Sequence, residues 1–524
     1  MKKRLLPLLC ASALTLALTA CGAQQTTQTD ITDAVALTFT DSGITAQDGT
    51  AGYEIDGTAL TITESGIYAV SGSCADGTIQ IKKGTTGVTL ILNGLDLTSG
   101  DSAAITCGKS GEVTILAADG TQNALSDTEQ NNDDNYPDNS DAENAVIKCK
   151  DGSAVTLGGT GALTVTANGK NGIKSGAATE EDGEASLTIR DLTLHIDAPV
   201  NDAINAEQLL NVESGTLTID AADDAIHCDM ILNIGADGSD GPTIDITSCY
   251  EGLEGAELNV LSGNITINAS DDCLNAANSD LTGYDFTMTI SGGTIDAYSS
   301  SGDGFDSNGD LTITGGTVVV WTANTADNEP LDADGTITVT GGTVLAAGGS
   351  SGMGMSLEAA QPCVIYGVSG LGGTPGSAQS SSLIASGADV TIEDSGSTVY
   401  SGTARCNACF VLFSSADVTA DGTYTLKAGN SSAEGIAQSG TVSTGMGMGG
   451  GFRGGQKPDG EPPEGFDGQQ PSGEKPELPD GERPDLADGE RPQPPDGQGK
   501  SKDGRAPADD NASDTNDPDT TPTA

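Results

Sequence analysis

Residues 288–297 read Met-Thr-Ile-Ser-Gly-Gly-Thr-Ile-Asp-Ala, residues 311–320 read Leu-Thr-Ile-Thr-Gly-Gly-Thr-Val-Val-Val, and residues 337–346 read Ile-Thr-Val-Thr-Gly-Gly-Thr-Val-Leu-Ala. Each stretch begins by alternating aliphatic residues with threonine, which sets the two kinds on opposite faces of an extended strand. A Gly-Gly-Thr turn follows at once, at Gly292, Gly315 and Gly341. The same short alternation stands upstream as Leu187-Thr-Ile, Leu217-Thr-Ile and Ile265-Thr-Ile. Beyond the N-terminal leader no window carries the spacing of an amphipathic helix. Strands this short and regular predict an all-β repeat architecture.

A second phrase gives the period. An aliphatic or aromatic residue recurs at Ile147, Ile173, Ile204, Ile226, Leu253, Leu274, Phe305 and Leu331, at intervals of 21 to 31 residues. A propeller blade needs roughly 40–45 residues, so the spacing predicts a parallel β-helix, a solenoid with three short strands per turn. Equivalent positions then stack about 4.8 Å apart, and the aliphatic column becomes an interior ladder.

The columns beside that ladder carry the chemistry. Two residues before it stand Ala145, Asn171, Asp202, Asp224, Glu251, Asp272, Asp303 and Glu329; one residue after it stand Lys148, Lys174, Asn205, His227, Glu254, Asn275, Asp306 and Asp332. Alternation predicts that both columns face outward. Neighbouring carboxylates at about 4.8 Å and an effective dielectric near 20 repel by on the order of 3 kcal/mol. Calcium offsets such repulsion, since it takes six to eight oxygen ligands. The expected ligands are Asp202, Asp223, Asp224, Glu251, Glu254, Asp271, Asp272, Asp303, Asp306, Glu329 and Asp332. The plainer reading is that Asp and Asn sit here because they suit tight turns. That reading explains the aspartates but not Glu251, Glu254 and Glu329, because glutamate has no special role in turns.

The whole chain has 524 residues, with 76 acidic against 21 basic side chains and a formal net charge of -55. Such a charge excludes a nucleic-acid binder that works by neutralising phosphates. The ends differ from the body. Lys2, Lys3 and Arg4 precede an apolar run too short to span a bilayer, and Leu18-Thr-Ala-Cys21 matches a bacterial lipoprotein cleavage box. Residues 1–20 are therefore expected to be a signal peptide and 21–34 a linker after a lipid-bearing Cys21. The protein is then exported and anchored to the bacterial cell membrane, facing outside, with the lipid as its only membrane contact. Residues 441–524 form a Gly/Pro/Asp-rich tail; it has too little apolar surface to fold and is expected to be a disordered spacer. The domain between spans 35–440.

Nine cysteines remain after Cys10 and Cys21, an odd number that does not suit a small disulfide framework. Cys406 and Cys409 are expected to form a local disulfide, and most of the others to pack inside. The acidic stretch from Asp127 to Glu143 lacks the spacing of an EF-hand loop and is expected to be a mobile surface insertion.

Several phrases together resemble a known family. They are Asp202-Ala-Ile, Asp224-Ala-Ile, Asp303-Gly-Phe, the Gly-Gly-Thr turns, Gly66-Ile-Tyr-Ala-Val-Ser-Gly, Leu90-Ile-Leu-Asn-Gly-Leu-Asp and Val411-Leu-Phe-Ser-Ser-Ala-Asp. They resemble the carbohydrate-binding domain-containing surface proteins of bacteria, over roughly residues 35–440. The resemblance implies a right-handed parallel β-helix similar to pectate lyases, a handedness that general crossover preference shares. It also implies binding of cellulose or acidic sugars, and calcium.

Aromatic platforms for neutral sugars are scarce: Tyr250, Tyr284, Tyr298, Phe305 and Trp321 are the aromatics within the repeat, and Phe305 lies on the ladder. A negative surface needs a cation to hold an acidic polysaccharide such as polygalacturonate or another plant cell-wall glycan. The expected function is therefore calcium-dependent polysaccharide binding without catalysis. One alternative is a calcium-dependent polysaccharide lyase, with Lys148 or Lys174 as the base and its pKa depressed by burial or by the other lysine. His195 and His227 are not expected to be catalytic. A structural adhesin or biofilm scaffold is the other alternative.

Overall fold

A computed structural model describes residues 31–47, 50–279, 281, 283–323, 328–349, 356–367 and 382–443. The signal peptide, Cys21 and the tail from residue 444 lie outside the described residues, as does most of the linker. Every helix or strand among the described residues is a strand. Thirty-four strands join one sheet, and four form a small second sheet.

Strand pairing explains the period. Through most of the chain three strands follow one another, and each pairs in parallel with its equivalent in the next repeat. In the first row the chain places Ile147 beside Ile173, then Ile204, Ile226, Leu253, Leu274 and Phe305 in register, with a last bridge from Phe305 to Leu331. All eight residues are fully buried. The ladder also runs further back than the spacing indicated, through Ile105 and Ile79 to Leu60. The second row aligns Leu187, Leu210, Leu232, Leu258, Met288, Leu311 and Ile337. The third aligns Leu194, Leu217, Ile244, Ile265, Ile295, Val318 and Val344. Alternation within each strand turns these side chains into one continuous core and leaves the threonines outside.

Both glycines of the repeated turn are required. A Cβ at Gly292, Gly315 or Gly341 would come within 2.2, 2.3 or 2.4 Å of a carbonyl oxygen in the preceding repeat. The next residues, Gly293, Gly316 and Gly342, have φ of 79, 79 and 85°, in the left-handed region that favours glycine.

The parallel order is flanked by antiparallel hairpins. Val35–Thr40 pairs with Gly43–Ala46, and Tyr53–Asp56 with Ala59–Ile62. At the other end, Phe410–Ser414 lies antiparallel to both Thr343–Gly348 and Ser356–Tyr366, and Gln438–Ser443 also lies along Ser356–Tyr366. The small sheet comprises Asp389–Asp394, Ser397–Thr403, Thr423–Ala428 and Ser431–Ile436, all antiparallel. Its inner face shares a second core with Trp321, Tyr366 and Phe413. The expected Cys406–Cys409 disulfide is not formed. The Cys406 thiol donates to Thr322 O at 3.0 Å and the Cys409 thiol to Gly348 O at 3.6 Å, so each is held by a different strand end. The other cysteines are buried, as expected.

Leu274→Ala should lower stability by roughly 2–5 kcal/mol, the usual cost of emptying a packed core site. Gly316→Ala should lower it by more than about 1 kcal/mol, since alanine strains a positive φ. Urea unfolding of the full chain measures both, with the exposed Thr216→Ala as a control expected within about 0.5 kcal/mol.

Candidate functional site

The polar columns flank the first row in the register that the sequence predicted. Lys148, Lys174, Asn205, His227, Glu254, Asn275 and Asp306 are successive Cα partners. Their burial, however, is deeper than an outward-facing, solvated column implies. Asp202, Asp224, Glu254 and Glu329 are only 5, 9, 7 and 7% exposed, and Glu251, Asp272, Asp303, Asp306 and Asp332 are half-buried. For the first column the reason is local. From Asp202 to Asp303 each strand of this row begins at the ladder residue itself, so the residue two places earlier belongs to the turn, where strand alternation does not apply.

Several of these carboxylates have a structural task. Asp202 Oδ1 accepts the Asp224 N–H at 3.2 Å, Asp272 Oδ1 accepts that of Asp303 at 2.6 Å, and Asp303 Oδ1 accepts that of Glu329 at 2.5 Å. Each aspartate thereby ties its own turn to the next one. Neutral amides satisfy others: Asn205 donates to Asp202 Oδ2 at 2.7 Å and Asn275 to Glu251 Oε2 at 2.8 Å.

The remaining oxygens gather at two places. Asp303, Asp306 and Asp332 bring three carboxylate oxygens within 4.8 Å of one another. Asp224, His227 and Glu254 form the second group, with the same limit. Around His227 the Nδ1 lies 2.5 Å from Glu254 Oε2 and 3.2 Å from Asp224 Oδ2, while Nε2 lies 2.8 Å from Asp229 Oδ1. Sequence reading missed this histidine because it fills a column that other repeats fill with assorted polar residues. The acids at Asp224 and Asp229, three before and two after it, were the available signal. His195, by contrast, is exposed between Thr164 and Thr218.

Burial is the largest influence on the acids. It raises Asp272 to about 8, with Asp306 adding to the effect, and Asp303 to about 7 against the hydrogen bond from Glu329. It also raises Asp306 to about 6, helped by Asp332 and Asp334, and Asp202 to about 6, opposed by His227. Burial works against a charged His227, but Glu254 and the hydrogen bonds to Asp224, Asp229 and Glu254 outweigh it, and its pKa lies well above the usual value.

Lys148 and Lys174 do stand side by side. Burial first, then Lys174, pull the Lys148 ammonium below its ordinary pKa, and Glu143 and Glu207 oppose them. The acidic insertion is anchored, contrary to expectation. Asp127, Asn131 and Asn132 are buried, Asp127 Oδ1 accepts the Asn168 and Gly169 N–H groups at 2.7 and 3.0 Å, and Asn131 donates to Ala145 O at 2.9 Å. These bonds lash the insertion to the next repeat. Of the repeat aromatics, Trp321 and Phe305 are core residues, Tyr298 lies under the Arg405 guanidinium, and Tyr284 donates to Glu257. Tyr250 alone among these five is exposed, and it stands beside Asp271 and Glu251.

Rows of parallel strands bordered by columns of closely spaced carboxylates define an all-β repeat protein. The chain belongs to the family described as carbohydrate-binding domain-containing protein, whose sequence profile matches residues 56–352. No curated protein matches it. Among solved structures it is similar to a gadolinium derivative of the polysaccharide lyase-like protein from C. thermocellum, at 23% identity and a TM-score of 0.32, covering 59% of this chain and 92% of that one.

Folding raises the pKa of Asp202, Asp272, Asp303 and Asp306, so the folded chain binds more protons than the unfolded one between about pH 4 and 8. The stability they contribute is present in full below the unfolded value and is lost as pH rises through the folded values. In chelator, the melting temperature measured by calorimetry should therefore fall from pH 4 to pH 8. Asp272→Asn should flatten the upper part of that fall.

Proposed function

We propose that the chain is an exported, lipid-anchored surface protein that binds acidic polysaccharide through calcium held on the first row. In this reading residues 1–20 are a signal peptide, Cys21 carries the lipid, 21–34 is a linker, 35–440 winds as a right-handed parallel β-helix, and 441–524 is an extended spacer. Family membership supports a polysaccharide partner. The observation that carries the reading is the all-oxygen group Asp303, Asp306 and Asp332, with ligand atoms within 4.8 Å of one another. Oxygens that share a calcium at about 2.3–2.6 Å stand at most about 5 Å apart.

Asn275 supports the fit. Its side-chain oxygen is buried without a hydrogen-bond partner, next to Asp306 in the column. An unsatisfied carbonyl oxygen beside carboxylates suits a cation far better than it suits an empty polar site. Asp303, Asp306 and Asp332 would hold the ion, with Asp272 and Asn275 adjoining. Once bound, calcium would reverse the local sign and bridge protein carboxylates to uronate carboxylates. The protein's own groups align the chain. Tyr250 offers an exposed ring beside the acids for the apolar face of a sugar.

A lyase is the second reading, and one observation favours it: Lys148 has the burial and the positive neighbour that a neutral amine base requires. Against it, Lys148 and Lys174 sit at the far end of the column from Asp306, separated by Asn205, His227, Glu254 and Asn275.

Polygalacturonate should be retained by the full chain in an affinity gel containing calcium and released in chelator. Calcium at about a hundred times its Kd should stabilise the fold by about 2.7 kcal/mol. Asp303→Asn with Asp306→Asn should remove both effects, and Tyr250→Ala should weaken retention while leaving the calcium shift intact. Ultraviolet absorbance of an unsaturated uronate product should stay flat at alkaline pH. A steady rise that Lys148→Ala abolishes would make the lyase the better account.

A further inference from the structure

The two groups of ligands on the first row differ in kind. Asp303, Asp306 and Asp332 offer oxygen only, whereas the other group offers an imidazole nitrogen between two carboxylates. We propose that Asp224, His227 and Glu254 form a separate site for a first-row transition divalent ion, bound through His227 Nδ1, which calcium does not fill. This inference goes beyond the polysaccharide reading and does not depend on it.

The ring is oriented from outside the group. His227 Nε2 lies 2.8 Å from Asp229 Oδ1 and donates its N–H there, which turns Nδ1 toward Asp224 and Glu254; a metal ion bound at Nδ1 takes the place of the proton that this nitrogen otherwise shares with the two carboxylates. This is the arrangement of a metal-bound histidine, whose second ring nitrogen donates to a carboxylate that fixes the ring and raises its basicity. Nδ1 faces two carboxylate oxygens at once, Glu254 Oε2 at 2.5 Å and Asp224 Oδ2 at 3.2 Å. A single proton on Nδ1 points along one of those directions, while a cation between the three atoms serves all of them.

A residue that borders both groups lies next along the column. Asn275 follows Glu254 in register, is 8% exposed, and its Oδ1 has no hydrogen-bond partner. Its Nδ2 donates to Glu251 Oε2 at 2.8 Å, and Glu251 in turn is close enough to Glu254 and Asp224 for both to raise its pKa. The orphaned oxygen thus lies in the column between the two groups, with Glu254 on one side and Asp306 on the other, and its amide nitrogen is held by an acid that borders the His227 group.

The donor chemistry selects the ion. Calcium takes hard oxygen donors and gains little from imidazole, whereas zinc, nickel and copper favour it. In the equivalent positions of the other repeats stand Lys148, Lys174, Asn205, Asn275 and Asp306, so the imidazole belongs to this one repeat.

Zinc is the probe. Equilibrium dialysis of the full chain against Zn2+ in millimolar calcium should find one zinc per chain that calcium does not displace. His227→Gln, which keeps a polar side chain but loses the nitrogen donor, should weaken zinc binding at least tenfold, and Glu254→Gln should do the same. Asp229→Asn should weaken it by about 10- to 100-fold while leaving the three ligands in place. Asp306→Asn should leave zinc binding unchanged, which separates this site from the calcium reading. The two histidines give a readout independent of affinity: in imidazole NMR spectra zinc should move the His227 resonances and leave those of exposed His195 in place. Melting curves in chelator identify any variant that fails to fold, and Asp229→Asn and the NMR of the unaltered chain keep the test decisive in that case. Displacement of zinc by calcium, undiminished zinc binding in a folded His227→Gln chain, or unmoved His227 resonances would each overturn the proposal.

Discussion

Equivalent residues of successive repeats stand side by side at a single short spacing, and every other feature follows from that constraint. For aliphatic residues it is favourable. Ile147 through Leu331 stack on their own kind and close a core that needs few aromatic residues to fill it. For charged residues the same spacing is hostile, because any acid that recurs in one position meets its own copy. The protein relieves this in three ways: aspartates turn one oxygen to a backbone N–H of the next repeat, amides at Asn205 and Asn275 interrupt the second column, and burial raises the pKa of Asp272 and Asp303, which favours their neutral forms. What is left over collects in two small groups. The continuous acidic ladder of the sequence is therefore discontinuous in space.

The charge of the first row also changes sign along its length. Lys148 and Lys174 occupy the same column as Glu254 and Asp306, several repeats earlier. The lysines of those early repeats have acids from neighbouring turns beside them, as Lys109 has Asp151 at 3.0 Å, Lys150 has Glu143 at 2.7 Å and Lys148 has Glu143 and Glu207.

Periodicity made the ladder and its neighbouring columns legible, because a side chain that must stack on its equivalent leaves the same mark in every repeat. Where the mark was absent, reading failed for identifiable reasons. Ile105, Ile79 and Leu60 continue the ladder, but the insertion from Asp127 to Glu143 lengthens one repeat and hides the interval. The insertion itself looked unanchored because its ties, from Asp127 to Asn168 and Gly169, join residues distant in sequence. Burial of Asp202 and Asp224 was not legible, since alternation speaks for residues within a strand and these lie in the turn before one. His227 was visible only as one more polar residue until its neighbours in space were known. The small antiparallel sheet has no period at all, and Cys406 and Cys409, in the connection from Ser397–Thr403 to Phe410–Ser414, suggested a bond where each thiol instead has its own backbone partner.

The hairpins at either end of the parallel order have a consequence for solubility. A stack of in-register parallel strands ends in unpaired N–H and C=O groups, a template on which another copy of the same stack could continue. Here the outermost pairings reverse direction: Val35–Thr40 is backed by Gly43–Ala46, while Phe410–Ser414 and Gln438–Ser443 run against the last long strand. A second molecule arriving in the parallel sense finds no matching register. These segments act as terminators that keep an endlessly extensible pattern from growing into a fibre, so a chain shortened to its periodic part would be expected to polymerise end to end.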